Sequence, residues 1–140
     1  MVNNDKNSTY IFRHFSQPAM QEWLYKKIEG GFFIMAKKIV LAGACRTAIG
    51  KMGGGLSKTP APVLGSVVIK EALNRAGVPA DQVDHVYMGC VIQAGLGQNV
   101  ARQASIKAGL PIEVPAVTMN VVCGSGLNCV NQAAQMIMAG

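Results

Sequence analysis

The thiols and imidazoles of this sequence, the groups suited to nucleophilic or acid/base work near neutral pH, are those of Cys45, Cys90, Cys123, Cys129, His14 and His85. Only Cys123 stands where the backbone has been stripped of side chains. It closes the apolar stretch Val121-Val122 and is followed at once by Gly124-Ser125-Gly126. A helix beginning there would aim the partial positive charge of its N-terminus at the sulfur and stabilise a thiolate. Its free N–H groups would donate to a developing oxyanion. The two glycines would let a bulky acyl group approach closely. These are the needs of an acyl-transfer nucleophile: attack of a thiolate on a thioester, then collapse to an acyl-cysteine. A buried structural cysteine ahead of a glycine-rich cap has the same signature, and on the residues alone both readings stand.

The other groups read as structure. The four cysteines are spaced 45, 33 and 6 residues apart, with no C-x-x-C pair and no zinc pattern. Without a secretory signal they are expected to be reduced thiols in a cytoplasmic setting. Cys129 falls six residues beyond Cys123, in the following helix, and reads as packing. So do Cys45 and Cys90, each after a strand-like segment. His85 reads as a strand-edge residue. The segment "GKMGGGLSK" lacks the spacing of a phosphate-binding loop.

Half of the residues are apolar and only 14% are charged, against about a quarter in an average domain. A chain with so little polar surface buries itself against other subunits, or is a piece of a larger protein. The net charge of +6 is dispersed, with no basic run longer than two residues. That argues against a nucleic-acid groove, which needs a clustered basic stripe. A diffuse positive field suits an anionic small substrate, or is simply solvated surface. No apolar stretch reaches the 18 or more residues of a membrane span.

The elements that would position Cys123 follow a regular grammar from Met35 onward. The sequence predicts a strand over 37–44, a Gly/Pro-rich loop over 45–62 and a helix over 63–76, entered by Pro62 and left at Gly77. A second strand follows over 83–93, then a loop and helix over 95–110 closed by Gly109. The third strand spans 116–123 and an apolar helix 125–140. The order β-α-β-α-β-α, with crossovers this long, predicts an α/β fold with parallel strands. Cys123 then lies at a strand's carboxyl end, where such folds place reactive groups.

Residues 1–34 read differently. They hold the only Trp, two of the three Tyr and all four Phe, without clear periodicity. No signal-peptide core is evident, and the segment is too acidic and Arg-poor for a mitochondrial transit peptide. Glu29-Gly30-Gly31 can be encoded GAA-GGA-GGN, which contains a bacterial ribosome-binding sequence about ten nucleotides before the codon for Met35. The expectation is that residues 1–34 are a non-native leader or unstructured extension, and that 35–140 form the domain.

The segment "NVVCGSGLNCVNQAAQMIMAG" resembles the nucleophile segment of the thiolases, Asn-x-x-Cys-x-Ser-Gly followed by an apolar helix. "CRTAIGKMGGGLSK", "IKEALNRAGV", "VDHVYMGCVIQAGLGQNVARQASIKAGLP" and "EVPAVTMN" resemble, in order and spacing, the amino-terminal region of the acetyl-CoA acetyltransferases within that family. The resemblance covers about residues 36–140. Ala48 and Val100 stand where the family commonly has Pro, and Val121 or Val122 where it often has a basic residue.

The resemblance implies a thiolase-like fold, of which this chain would hold the first βαβαβα part: three parallel strands of a five-stranded sheet. It implies an acyltransferase that condenses two acetyl-CoA to acetoacetyl-CoA, or cleaves a 3-ketoacyl-CoA. Cys123 would be the nucleophile, its backbone N–H helping to hold the oxyanion. Coenzyme A would enter only as part of the substrate, with no other cofactor and no metal. A homodimer or homotetramer would be the assembly, with no nucleic-acid or membrane partner. The family also uses a His in Gly-His-Pro and a second Cys in Cys-x-Gly, and neither motif occurs here. The chain is therefore expected to be an amino-terminal fragment, inactive or nearly so alone. A non-catalytic module that keeps subunit contacts, including the 93–99 segment "QAGLGQN", and a ketoacyl synthase-type condensing enzyme are the alternatives.

Overall fold

The computed structural model describes residues 38–140 and the two-residue strand Thr9–Tyr10. The rest of the expected leader, and the proposed start at Met35, lie outside the described residues. The described elements are β1 (Thr9–Tyr10), α1 (Ala61–Ala76), a short 3-10 turn (Ala80–Gln82), β2 (Val86–Gly89), α2 (Val100–Ala108), β3 (Ala116–Met119) and α3 (Ser125–Ala139).

The helices begin and end where local chemistry requires. Pro62 occupies the first turn of α1, where its missing N–H costs nothing. Gly77 closes that helix in the left-handed region at φ 63°; its N–H donates to the Asn74 carbonyl, and the Val78 N–H reaches back to Leu73 at 3.0 Å. Gly109 repeats the device for α2 at φ 88°, with Leu110 N–H donating to Ser105 at 3.1 Å. Each stop delivers the next apolar side chain, Val78 or Leu110, into the core.

The β2 and β3 strands pair in parallel, from Val86 opposite Ala116 to Gly89 opposite Met119. Side chains alternate across β2. Val86 and Met88 face α1 and α2 and are buried with Ile69, Leu73, Ala101 and Ala104. Tyr87 faces the other way and packs with Val130 and Ala133 of α3. The result is an α/β/α sandwich with α1 and α2 on one face and α3 on the other. Gly65 lets α1 come close: a Cβ there would lie 2.6 Å from Met88 Cε and 3.1 Å from Ala104 Cβ.

The first strand differs from expectation. Residues 38–50 carry no strand, and Val40 and Leu41 are half exposed. That segment is tied to α1 instead: Arg75 Nη1 donates to the Ala44 carbonyl at 3.2 Å, and the Cys45 thiol donates to Val68 at 3.4 Å. Gly43, at φ 70°, sits so close to Ala72 that any side chain would strike its carbonyl. A chain bent at that point cannot continue a ladder, and β-propensity yields to such context. The free edge of β2 is taken by β1, antiparallel, with Thr9 opposite Met88. The described sheet thus has two parallel strands and one antiparallel strand. The expected second and third strands are present but shorter, since 83–85, 90–93 and 120–123 fall outside β2 and β3.

Candidate active site

The site is built at the carboxyl ends of β2 and β3, and α2 first holds β3 in place. Asn99 caps α2, its Oδ1 accepting from Arg102 N–H at 3.0 Å and from the Thr118 hydroxyl at 2.8 Å. Its amide donates to the Ala116 carbonyl at 2.9 Å, and Thr118 Oγ1 accepts from Ala101 N–H. The Arg102 guanidinium donates to the carbonyls of Val114 and Ile112, at 2.7 and 2.6 Å, just ahead of β3.

Past Met119 the chain leaves the sheet because side chains offer its backbone other partners. The Asn120 Oδ1 accepts from Val122 N–H at 2.9 Å, and its Nδ2 donates to the Val91 carbonyl at 3.0 Å. The Ser125 hydroxyl accepts from Val121 N–H at 3.0 Å and donates to the Val122 carbonyl at 2.6 Å. Val122 adopts φ 55°. A β-branched residue in this left-handed region is an outlier that costs about 1–3 kcal/mol. Cys123 follows, then Gly124 as the N-cap of α3.

Cys123 is exposed, and no side chain caps the helix beside it. The N–H groups of Gly124 and Ser125 are engaged by the Val121 and Val122 carbonyls, each at 3.2 Å. The following first-turn N–H groups, of Gly126 and Leu127, have no intrahelical acceptor and are the donors this end presents. Gly89 makes the junction possible. A Cβ there would fall 2.8 Å from Ser125 Cβ and 3.0 Å from Gly126 N. Gly124 is different, since a Cβ at that position would meet nothing closer than 3.5 Å.

The remaining thiols are held elsewhere. Cys129 is buried inside α3, and burial pushes its pKa up to about 11. Cys129 is thus shut inside the helix, whereas Cys123 opens to solvent. Burial also raises the thiols of Cys45 and Cys90 above their usual range. Cys90 donates its N–H to Met119 at 2.9 Å, extending the β2–β3 ladder by one bond.

His85 precedes β2 and stacks on Tyr87, with ring centroids 4.4 Å apart. Its Nε2 is buried without a partner, and desolvation lowers its pKa. It lies at the amino end of β2, whose other end, roughly 13 Å away by strand rise alone, meets Ser125 and Gly126. The structure does not bring it to the thiol. Among the described residues, no three His, Cys, Asp or Glu side chains gather as a metal would require, and no helix is long and apolar enough to cross a membrane.

Asn120 and Ser125 are the Asn and Ser of the Asn-x-x-Cys-x-Ser-Gly segment, and their part in holding the turn is visible only in the structure. The available signal was a turn-forming Asn at a strand's end and a Ser at a helix's start, flanking one cysteine.

Residues 39–140 match the family model described as thiolase, N-terminal domain. The chain belongs to the thiolase family. It is 64% identical over 102 residues to an acetyl-CoA acetyltransferase of Cupriavidus necator, which covers 73% of this chain and 26% of the relative. An acetyl-CoA acetyltransferase of Syntrophomonas wolfei is 57% identical over 106 residues, 76% of this chain and 27% of the relative. The mitochondrial acetyl-CoA acetyltransferase B of Xenopus laevis is 53% identical over 103 residues, 74% and 24% respectively. The chain thus spans about a quarter of the length of the curated relatives it matches.

Proposed function

We propose that this thiolase chain contributes the acyl acceptor of an acetyl-CoA acetyltransferase, with Cys123 as nucleophile. The supporting observation is the exposed thiol at the uncapped N-terminus of α3, at the carboxyl ends of two parallel strands. The Cys123 thiolate attacks the thioester carbonyl of an acyl-CoA, the carbonyl carbon–sulfur bond to coenzyme A breaks, and coenzyme A leaves as a thiol once protonated. With the Gly124 and Ser125 N–H groups held by Val121 and Val122, the Cys123 N–H and the N–H groups of Gly126 and Leu127 would hold the oxyanion formed on the way. The carbanion of a second acetyl-CoA then attacks the acyl-cysteine, releasing the Cys123 thiolate and acetoacetyl-CoA. Thiolysis of a 3-ketoacyl-CoA is the reverse.

Neither Gly-His-Pro nor Cys-x-Gly occurs in these 140 residues, so the motifs by which the family activates its nucleophile and forms the carbanion are not supplied by them. The reading for this chain is therefore a nearly inactive fragment, limited to slow acyl uptake at Cys123, with the full condensation belonging to the whole enzyme. The five-stranded sheet, the homodimer or homotetramer and the cytoplasmic setting belong to the same proposal. Leu127, Met136 and Met138, half exposed along α3, support a face that further protein would cover; the four free thiols support a reducing compartment.

The test is incubation with acetyl-CoA followed by peptide mass spectrometry. An acetyl group on the Cys123 peptide, with one equivalent of coenzyme A released, is the expected outcome. Equal labelling of all four cysteines, or none, would defeat the reading.

A further inference from the structure

Among the described residues only Asn99 and Val122 are non-glycine residues at positive φ. Asn enters this region readily, whereas a β-branched side chain does so only where its surroundings over-determine it. Packing does not hold Val122, whose side chain is 63% exposed. Hydrogen bonds do. Its N–H is taken by Asn120 Oδ1, and its carbonyl receives both the Ser125 hydroxyl at 2.6 Å and the Ser125 N–H at 3.2 Å. The same hydroxyl accepts from Val121 N–H, so it spans the residues on the amino side of Cys123. Ser125 is buried, and its side chain works backward on the turn without capping α3.

We infer that Ser125 is a positioning residue for Cys123: with Asn120 it locks Val122 in the left-handed conformation, and that lock sets where the thiol stands at the helix N-terminus. The inference rests on the reading of Cys123 as acyl acceptor. Cys123 is bonded directly to Val122, so a relaxation of Val122 to negative φ turns the cysteine away from the first turn of α3. Asn120 adds a tether, because its amide also holds the Val91 carbonyl.

The mechanism makes Ser125 dispensable when residue 122 adopts positive φ unaided, as glycine does. The experiment compares four forms of the full 140-residue chain: wild type, S125A, V122G and V122G/S125A. Each is treated with iodoacetamide and with acetyl-CoA at fixed pH, and the modification rate of Cys123 is followed by peptide mass spectrometry. Buried Cys129, in the same helix, reports through its protection whether α3 stays folded.

S125A is expected to slow Cys123 about tenfold with Cys129 still protected, the rate equivalent of releasing one strained residue. In the V122G background the same substitution is expected to cost less than about twofold, since glycine visits both signs of φ alike. Equal cost in both backgrounds, or no effect of S125A on the valine background, overturns the inference. Should S125A expose Cys129, the V122G pair decides: protection retained in V122G/S125A supports the lock, and protection lost there overturns it. If Cys123 takes no acetyl group from acetyl-CoA while its alkylation follows the expected pattern, the proposed function fails and the lock stands.

Discussion

The entrances to α2 and α3 are built from the same parts and finished differently. Each helix follows a strand and a turn, and each turn holds one non-glycine residue at positive φ, Asn99 at 42° and Val122 at 55°. At α2 the left-handed residue is also the cap, and its side chain closes the N-terminus by accepting from Arg102 N–H. At α3 the left-handed residue stands one place before an exposed thiol, and the cap is Gly124, with no side chain to offer. The first entrance spends its donors on the fold. The second engages the Gly124 and Ser125 N–H groups within the turn, leaves only those of Gly126 and Leu127 for a ligand, and takes its geometry from Ser125 and Asn120. One molecule thus shows the cost of keeping a helix end open: a strained valine where a tolerant asparagine would serve.

The sharpest break of this contrast is C123S, which is expected to abolish acetyl uptake while leaving the unfolding midpoint in denaturant where it was. An unchanged acetyl load would place the chemistry elsewhere. Next come the two glycines at the open entrance. G89A drives a methyl into Ser125 and Gly126 N and is expected to destabilise by about 1–3 kcal/mol in urea unfolding, as overpacking does. G124A fits the available space and a negative φ. It is expected to change stability by less than about 0.5 kcal/mol while slowing transfer from acyl-CoA, which must approach across it. Equal stability losses would mean that Gly124 serves the fold.

At the closed entrance, N99A removes a cap and two ties to β3 and is expected to cost about 1–2 kcal/mol. The smallest effect belongs to His85. Its folded pKa lies below the unfolded value of about 6.5, so the unfolded chain binds more protons in the interval between them. Stability is then full above about pH 6.5, falls as pH drops toward the folded value and levels off below it. Replacement by Phe should flatten that slope in urea titrations across the same range, and a slope that persists would assign it to another group.

Much of this was readable from residues. Gly77 and Gly109 mark helix ends, Pro62 a helix start, and the lone cysteine between an apolar stretch and Gly-Ser-Gly marks the site. Those signals are local, set by backbone sterics within a few residues. The strand expected over 37–44 failed because its β-branched residues carry a propensity that only a partner can realise, and α1 holds the segment instead through Arg75 and Val68. The helix after Cys123 was legible from its apolar run, but the turn before it was not. Valine predicts extended backbone, and nothing in Val121-Val122 announces a left-handed residue.

By itself, then, the sequence determined the three helices, the order of elements from α1 onward and the setting that marks out Cys123, because capping and steric rules act over one or two turns. The tertiary structure decided which segment occupies the edge of β2, which thiol is open and which is shut, and how Val122 is turned. Each of those depends on groups distant in the chain or on a network no single residue announces: Thr9 beside Met88, Gly89 against Ser125, Asn120 across to Val91. Pairing and close packing are paid for by contacts, and contacts exist only once the chain has folded.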